Sequence, residues 1–393
     1  MSGPLEGVRV VELAQYVAGP LCGVLLADLG AEVVKVEPPG GDGYRHVQPV
    51  APGVGRFFVP LNRGKRSVVC DLKTERGRRE AGRLVRRADV VLHNFAPERA
   101  ARFGLAWDDL HRDAPELVVG VVSSFGGRGP LAHVPAYDLV AQAHAGLLTA
   151  HASAGDRVPV RAGGIPIADL TAGLLLASRV LAALVRARET GAGELVEVSL
   201  LAAALAVQVQ DLVWIGSEGE LEGVIYADPE RIAARAAAIE RGVATNPYYR
   251  VYATADGYVA VACLNLAQRR AFLALFDLDD PTIDAPDLEP EDPAVARGKE
   301  QLAAEIEKRV AAVEADRWVA ELRAAGVPAA RVLMREGLVA DEQVAASGLI
   351  TTVEQPGLGP VTMLASLVSP RAGGAAPAPV LGADTEAVLG ALE

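Results

Sequence analysis

The sequence predicts an α/β chain: a mostly parallel sheet wrapped by helices, with a smaller α+β domain after it. Three observations predict this. Short apolar runs alternate with helical segments through the first 200 residues, small-residue segments directly follow those runs, and from about residue 225 the pattern changes to a hairpin and amphipathic helices. Such alternation suits a parallel sheet, because each parallel neighbour is reached only through a crossover.

Val8 to Leu13 reads as a strand, Pro20 to Asp28 as a helix, and Glu32 to Glu37 as a second strand closed by Pro38-Pro39-Gly40-Gly41. Arg76 to Arg87 is a helix, and Asp89 to His93 and Leu117 to Ser123 are further strands. Ligands on such sheets gather at the carboxyl ends of strands. The segments expected there begin Ala14-Gln15-Tyr16-Val17-Ala18-Gly19, Asn94-Phe95-Ala96-Pro97 and Ser124-Phe125-Gly126-Gly127, and their small residues admit a ligand close to the backbone. Later, Tyr248 to Tyr252 and Tyr258 to Ala262 alternate around Asp256-Gly257, a hairpin signal. Asp279 to Pro293 is an acidic, proline-rich loop, and Ala294 to Ala325 gives two amphipathic helices ended by Gly326-Val327-Pro328. The expected domains are 1–224 (large), 225–330 (small α+β) and 331–393, which returns to the large one.

With 393 residues, 51% hydrophobic and 22% charged, the chain can bury a core large enough for more than one domain. Residues 195–215 are apolar, but Glu197, Gln208, Gln210 and Asp211 interrupt them, so they read as a buried core helix and not a membrane span. Cys22, Cys70 and Cys263 are odd in number and far apart, which predicts no disulfide framework and no zinc knuckle. With no secretory signal after Met1, a reducing cytoplasm is expected. The histidines form no ligand pair, so no metal is expected. There is no G-x-G-x-x-G in the first βα turn, no phosphate-binding loop before Gly64-Lys65, and no G-x-S-x-G.

The net charge of −12 disfavours nucleic acid, yet it is unevenly spread. Between Arg56 and Arg102 stand thirteen Lys/Arg against five acids, which leaves a net −20 on the rest. Those on the helix from Arg76 read as a solvated face. Arg63, Lys65, Arg66, Lys73, Arg99 and Arg102 flank strands and are better placed to hold a small polyanion such as a nucleotide phosphate.

Asp169 stands where an apolar approach, Gly163-Gly164-Ile165-Pro166-Ile167-Ala168, meets a long alanine/leucine helix. One reading is an N-cap, since aspartate accepts orphan backbone N–H bonds and suits the positive end of the dipole. The other is a nucleophile: a carboxylate is ionised at neutral pH and can attack an acyl group without an activating base. Position alone does not decide between them.

Taken together, the motifs resemble the class III CoA-transferases (formyl-CoA and carnitine-CoA transferase type), a family that includes α-methylacyl-CoA racemases. The resemblance spans nearly the whole chain. It rests on Leu5-Glu6-Gly7-Val8-Arg9-Val10-Val11-Glu12, Ala18-Gly19-Pro20, Leu29 to Glu37, Asn62-Arg63-Gly64-Lys65-Arg66-Ser67, Asp71-Leu72-Lys73, His93-Asn94-Phe95-Ala96-Pro97, Tyr137 to Ala143, Asp169-Leu170-Thr171-Ala172-Gly173 and Pro377 to Gly382.

The resemblance implies that Asp169 is the nucleophile. It attacks a CoA thioester to give a mixed anhydride and CoA thiolate; the thiolate forms an aspartyl-CoA thioester, and an acceptor carboxylate reverses the steps. It further implies that Tyr16, Val17 and Ala18 approach the pantetheine, and that Lys73, Asn94, Phe95, Arg99 and Arg102 line the nucleotide end, with Leu72 and Ser124 among the CoA contacts. Tyr137 and Asp138 would face the reacting centre. CoA is then a substrate, no metal or tightly bound cofactor is needed, and CoA thioesters and free carboxylic acids are the partners, with no membrane or nucleic acid. The implied fold is an interlocked, ring-like homodimer of a large Rossmann-like domain and a smaller one. Family racemases carry a histidine before the acid where this chain has Tyr137-Asp138, which favours transfer over racemisation. Where the oxalate/formate type has a glycine run before the segment aligned with Asn246-Pro247-Tyr248, this chain reads Gly242-Val243-Ala244-Thr245. The alternatives are a racemase or epimerase of the same fold, and a non-catalytic CoA-binding protein in which Asp169 is a cap.

Overall fold

The computed structural model describes residues 3–132, 134–150, 164–213, 227–284, 292–366, 368 and 376–392. Gly163, residues 285–291 of the acidic loop, and residues 214–226 lie outside the described residues. The described residues form two compact units, one drawn from 1–150, 161–220 and 339–393, the other from 221–338.

The larger unit is built on a six-stranded sheet. Its strands are β1 (Arg9–Glu12), β2 (Glu32–Glu37), β3 (Arg66–Val69), β4 (Val90–His93), β5 (Val118–Ser123) and β6 (Leu195–Ser199). They lie in the order β3-β2-β1-β4-β5-β6 and every pairing is parallel. This is the Rossmann-like doubly wound order, whose direction of progression reverses between β1 and β4. Both faces are covered, which explains strands that read as unbroken apolar runs. Val10, Val33, Val90 and Val118 point into a core with the helices Ala18–Asp28 and Ile167–Thr190. Their chain neighbours Val11, Val34, Val91 and Val119 point into a second core with Ala81, Leu84 and Val388.

The stretch at 195–215 differs from its sequence reading as a core helix. Val196 and Val198 are buried on strand β6, and among the described residues of the stretch only Leu200–Ala206 is helical. A short alternating segment was hidden by the apolar composition around it. Helix Ile167–Thr190 is long and apolar enough to cross a membrane by composition, yet Ala172, Leu176, Val180 and Ala183 pack it into the core. The tail returns to the edge strand β3: the Ser67 and Val69 amides donate to Asp384 and Thr385 at 2.8 and 3.0 Å, so the edge is covered.

The smaller unit has a three-stranded antiparallel sheet, Ala329–Arg331, Gly257–Ala262 and Tyr249–Thr254 in that order. The hairpin closes through Ala255-Asp256, one residue earlier than the Asp256-Gly257 signal. Helices Pro293–Val310 and Ala315–Ala324 bury Ile306, Trp318 and Leu322 against Tyr252, Val259 and Phe272. Helix Pro229–Thr245 precedes the sheet.

Candidate active site

Sheets of this order bind ligands at the carboxyl ends of the strands beside the reversal, here β1 and β4, and the residues expected to bind ligand follow those strands and their neighbours. Asn94, just past β4, joins the two halves: its Nδ2 donates to the Gln15 carbonyl at 3.0 Å and its Oδ1 accepts from the Gln15 amide at 3.3 Å. Tyr16 follows in a left-handed backbone, φ 73°, unfavourable for a tyrosine. Its ring meets Tyr137 edge to face, centroids 5.9 Å apart, and Tyr44 at 5.5 Å. Burial, then the neighbouring Tyr137 and Asp42, raise the Tyr16 pKa, so its hydroxyl stays protonated at neutral pH. Tyr137 itself is 70% exposed.

Asp138 does not present its carboxylate to solvent. It is buried, Oδ1 accepts from the Ala168 amide at 2.9 Å and the Asp169 amide at 3.2 Å, and Oδ2 accepts from Gln142 Nε2 at 2.7 Å. It therefore caps the helix Ile167–Thr190 from 30 residues away. This corrects one expectation. Asp169 is not the N-cap: it is the third residue of the helix, whose cap position is Pro166. Asp138, expected to face the reacting centre, lies next to Asp169 and bonds its backbone amide. The Asp169 carboxylate is half-buried in the first turn, where the helix dipole favours its charge.

Gly173, four residues on, explains its place in the motif. A Cβ there would lie 2.8 Å from the Ala18 carbonyl oxygen, so glycine lets the helix close onto the Tyr16-Val17-Ala18 segment. Val17 and Ala18 are buried at the start of helix Ala18–Asp28 and offer backbone rather than side chains. Ser124 Oγ accepts from the Ala136 amide at 2.8 Å and donates to its carbonyl at 3.3 Å, which anchors the loop that ends in Tyr137. Thus Tyr16, Asn94, Ser124, Tyr137, Asp138 and Asp169 are brought together through direct contacts or a single intervening residue.

The basic candidates divide sharply. Arg63 is buried against Asp28, Lys65 Nζ lies 2.7 Å from Glu12, and Arg66 pairs with Glu32 at 2.8 Å and Asp384 at 3.4 Å. Arg63 and Lys65 are committed to the fold, contrary to their reading as polyanion ligands, whereas Arg66 remains part-exposed. Lys73, Arg99 and Arg102 are exposed and, among the described residues, form no ion pair. Lys73 follows β3, and the two arginines sit on helix Pro97–Arg102 after β4. Leu72 and Phe95 contribute mostly apolar mass: both pack against the second core, Phe95 with its ring 5.2 Å from Phe103.

His93 ends β4, and burial pushes its pKa down to about 4. Its Nδ1 accepts from the Phe95 amide at 3.3 Å, so the folded ring is neutral. The unfolded chain protonates near pH 6.5, so this contribution is complete above that pH and is lost as pH falls towards 4. It amounts to about 3 kcal/mol. His93→Leu is expected to lose that much less stability between pH 7 and pH 4 in urea titrations; equal losses would show that the histidine is not held neutral.

The doubly wound sheet, with the helix that carries Asp169 packed through Gly173 on the helix after β1, makes the chain a Rossmann-like α/β protein. The chain belongs to CoA-transferase family III, which it matches over residues 5–385, and it is an enzyme of that class. It is 35% identical over 333 residues to a probable fatty acyl-CoA transferase, Rv3272, of Mycobacterium tuberculosis, covering 83% of this chain and 82% of that protein. It is 33% identical over 341 residues to an acetyl-CoA:oxalate CoA-transferase of Acetobacter aceti, covering 84% and 81%. Among solved structures, a CAIB/BAIF family protein from Brucella suis superimposes with a TM-score of 0.80 at 28% identity over 100% of both chains. Crystalline Rv3272 gives 0.76 at 30% identity over 98% of each.

Proposed function

We propose that the chain moves CoA between carboxylic acids through Asp169. The observation that carries this reading is the coupling of Asp138 to the Asp169 amide beneath the Tyr16–Tyr137 pair. A carboxylate so held attacks the thioester carbonyl, forming the acyl-Asp169 anhydride and releasing CoA thiolate. The thiolate attacks the aspartyl carbonyl, giving the Asp169–CoA thioester and the free donor acid. The acceptor carboxylate attacks that thioester, and the returning thiolate takes the new acyl group and frees Asp169. The CoA thiolate departs and returns within one cycle, so its nucleotide must stay bound, and Lys73, Arg99 and Arg102, exposed and without an ion pair among the described residues, would hold it.

Changing Arg99 and Arg102 together to alanine should weaken CoA binding by about 1.5–3 kcal/mol for each charged hydrogen bond lost, with little effect on folding. Unchanged affinity by calorimetry would return both to a solvated face. The reaction class is tested by label exchange between a free acid and an acyl-CoA in deuterated water. Exchange is expected without deuterium at the α-carbon, because Tyr137 stands where a racemase has the histidine that serves as its second base. Rapid deuterium incorporation without exchange would favour the racemase instead. We further propose a homodimer, since Leu174, Val185, Leu195 and Val209 leave apolar surface exposed on the larger unit. A reducing cytoplasm suits its three buried, unbridged cysteines.

A further inference from the structure

Beneath the Tyr16 turn lies a group of fully buried charges. Lys35 Nζ is 2.8 Å from Glu12 and 2.9 Å from Asp42, and Lys65 Nζ is 2.7 Å from the other Glu12 oxygen. Glu37 takes Arg45 through both oxygens at 2.7 Å and also accepts from the Asp42 amide at 2.9 Å. Asp42 is the member that faces the site. Its Oδ1 accepts from the Tyr16 amide at 3.2 Å and the Tyr44 amide at 2.9 Å. Gly43 beside it is needed for closeness: a Cβ there would lie 2.7 Å from the Tyr16 hydroxyl oxygen.

Buried ion pairs are often no more stabilising than apolar replacements, so their presence calls for another explanation. Tyr16 supplies one. A tyrosine does not hold φ 73° unaided, and relaxation to the extended region would swing its ring away from Tyr137. An acceptor aimed at its amide opposes that relaxation, and Lys35 fixes the acceptor. We infer that Asp42, locked by Lys35, is a positioning residue that holds Tyr16 in its left-handed conformation and so shapes the CoA-binding turn. This rests on the CoA-transferase reading of the site.

The test is a double-mutant cycle read by calorimetric CoA binding, with label exchange measured alongside. Asp42→Ala is expected to weaken CoA binding about tenfold in the wild-type background but under about threefold in Tyr16→Gly, because glycine adopts that backbone without help. Should Tyr16→Gly bind too weakly to titrate, Tyr16→Asn, which also tolerates the left-handed region, replaces it. Asp42→Asn keeps an acceptor for the Tyr16 amide and should retain most of the affinity at a lower melting temperature; if Asp42→Ala does not fold, Asp42→Leu, of similar shape but with no acceptor, takes its place in the cycle. Equal losses in both backgrounds, or no loss at all, would overturn the inference. Exchange intact with equal losses sinks this inference alone, whereas a non-additive cycle without exchange sinks the transfer reading and leaves the positioning role standing. A wild-type chain that binds no CoA sinks both.

Discussion

Asp169→Asn is expected to lower transfer on the order of 10³-fold or more while the chain stays folded and binds CoA. Asparagine preserves the shape of the side chain but is a far poorer nucleophile than a carboxylate. The fold should tolerate it because the helix is capped by Asp138, whose bonds run to the Ala168 and Asp169 amides and survive the change. What the lost charge contributes through the dipole is about 0.3–1 kcal/mol. Incubating wild type with an acyl-CoA donor and no acceptor, then trapping with hydroxylamine or borohydride, should mark the peptide containing Asp169, and the variant should leave it unmarked. Transfer by Asp169→Asn at a rate close to wild type, or a variant that fails to fold, would make the carboxylate structural.

That separation of roles was only half legible in the sequence. Asp169 stood out because local pattern marks where a helix begins, and local pattern is also why Glu32–Glu37 was delimited correctly. The true cap lies 30 residues away, and no spacing rule connects Asp138 to Ala168. Charge posed the same difficulty. Counting found the basic excess between Arg56 and Arg102, but only tertiary pairing shows that Arg63 and Lys65 are buried with Asp28 and Glu12 while Lys73, Arg99 and Arg102 are free of ion pairs among the described residues. The sequence does carry a signal for the buried network. Lys35 and Glu37 interrupt an apolar strand, and Glu12 ends another, at positions that a sheet covered on both faces must bury. Buried charges require partners, so three such residues in the motifs that carry the family resemblance foretell one network.

Lys35→Met should destabilise the protein by about 3–5 kcal/mol, a large share of the 5–15 kcal/mol usual for a folded domain. The lysine is completely buried, and its Nζ donates to Glu12 and to the Ala14 carbonyl, each at 2.8 Å, while it pairs with Asp42. Burial alone would lower its pKa, but Glu12, Asp42 and Glu37 outweigh burial and raise it, so the folded state holds the cation. Methionine fills similar volume yet leaves Glu12 and Asp42 facing each other, with Lys65 as the remaining cation against Glu12. Desolvation then goes uncompensated. By contrast, Arg112→Ala, which breaks the exposed Arg112–Asp109 pair, should cost less than about 1 kcal/mol. Urea unfolding should show the midpoint of Lys35→Met shifted at an unchanged m-value. Adding Asp42→Asn should recover part of the loss, because it removes one of the two stranded charges. A Lys35→Met midpoint matching that of the Arg112 variant would show that the buried charges do not depend on one another.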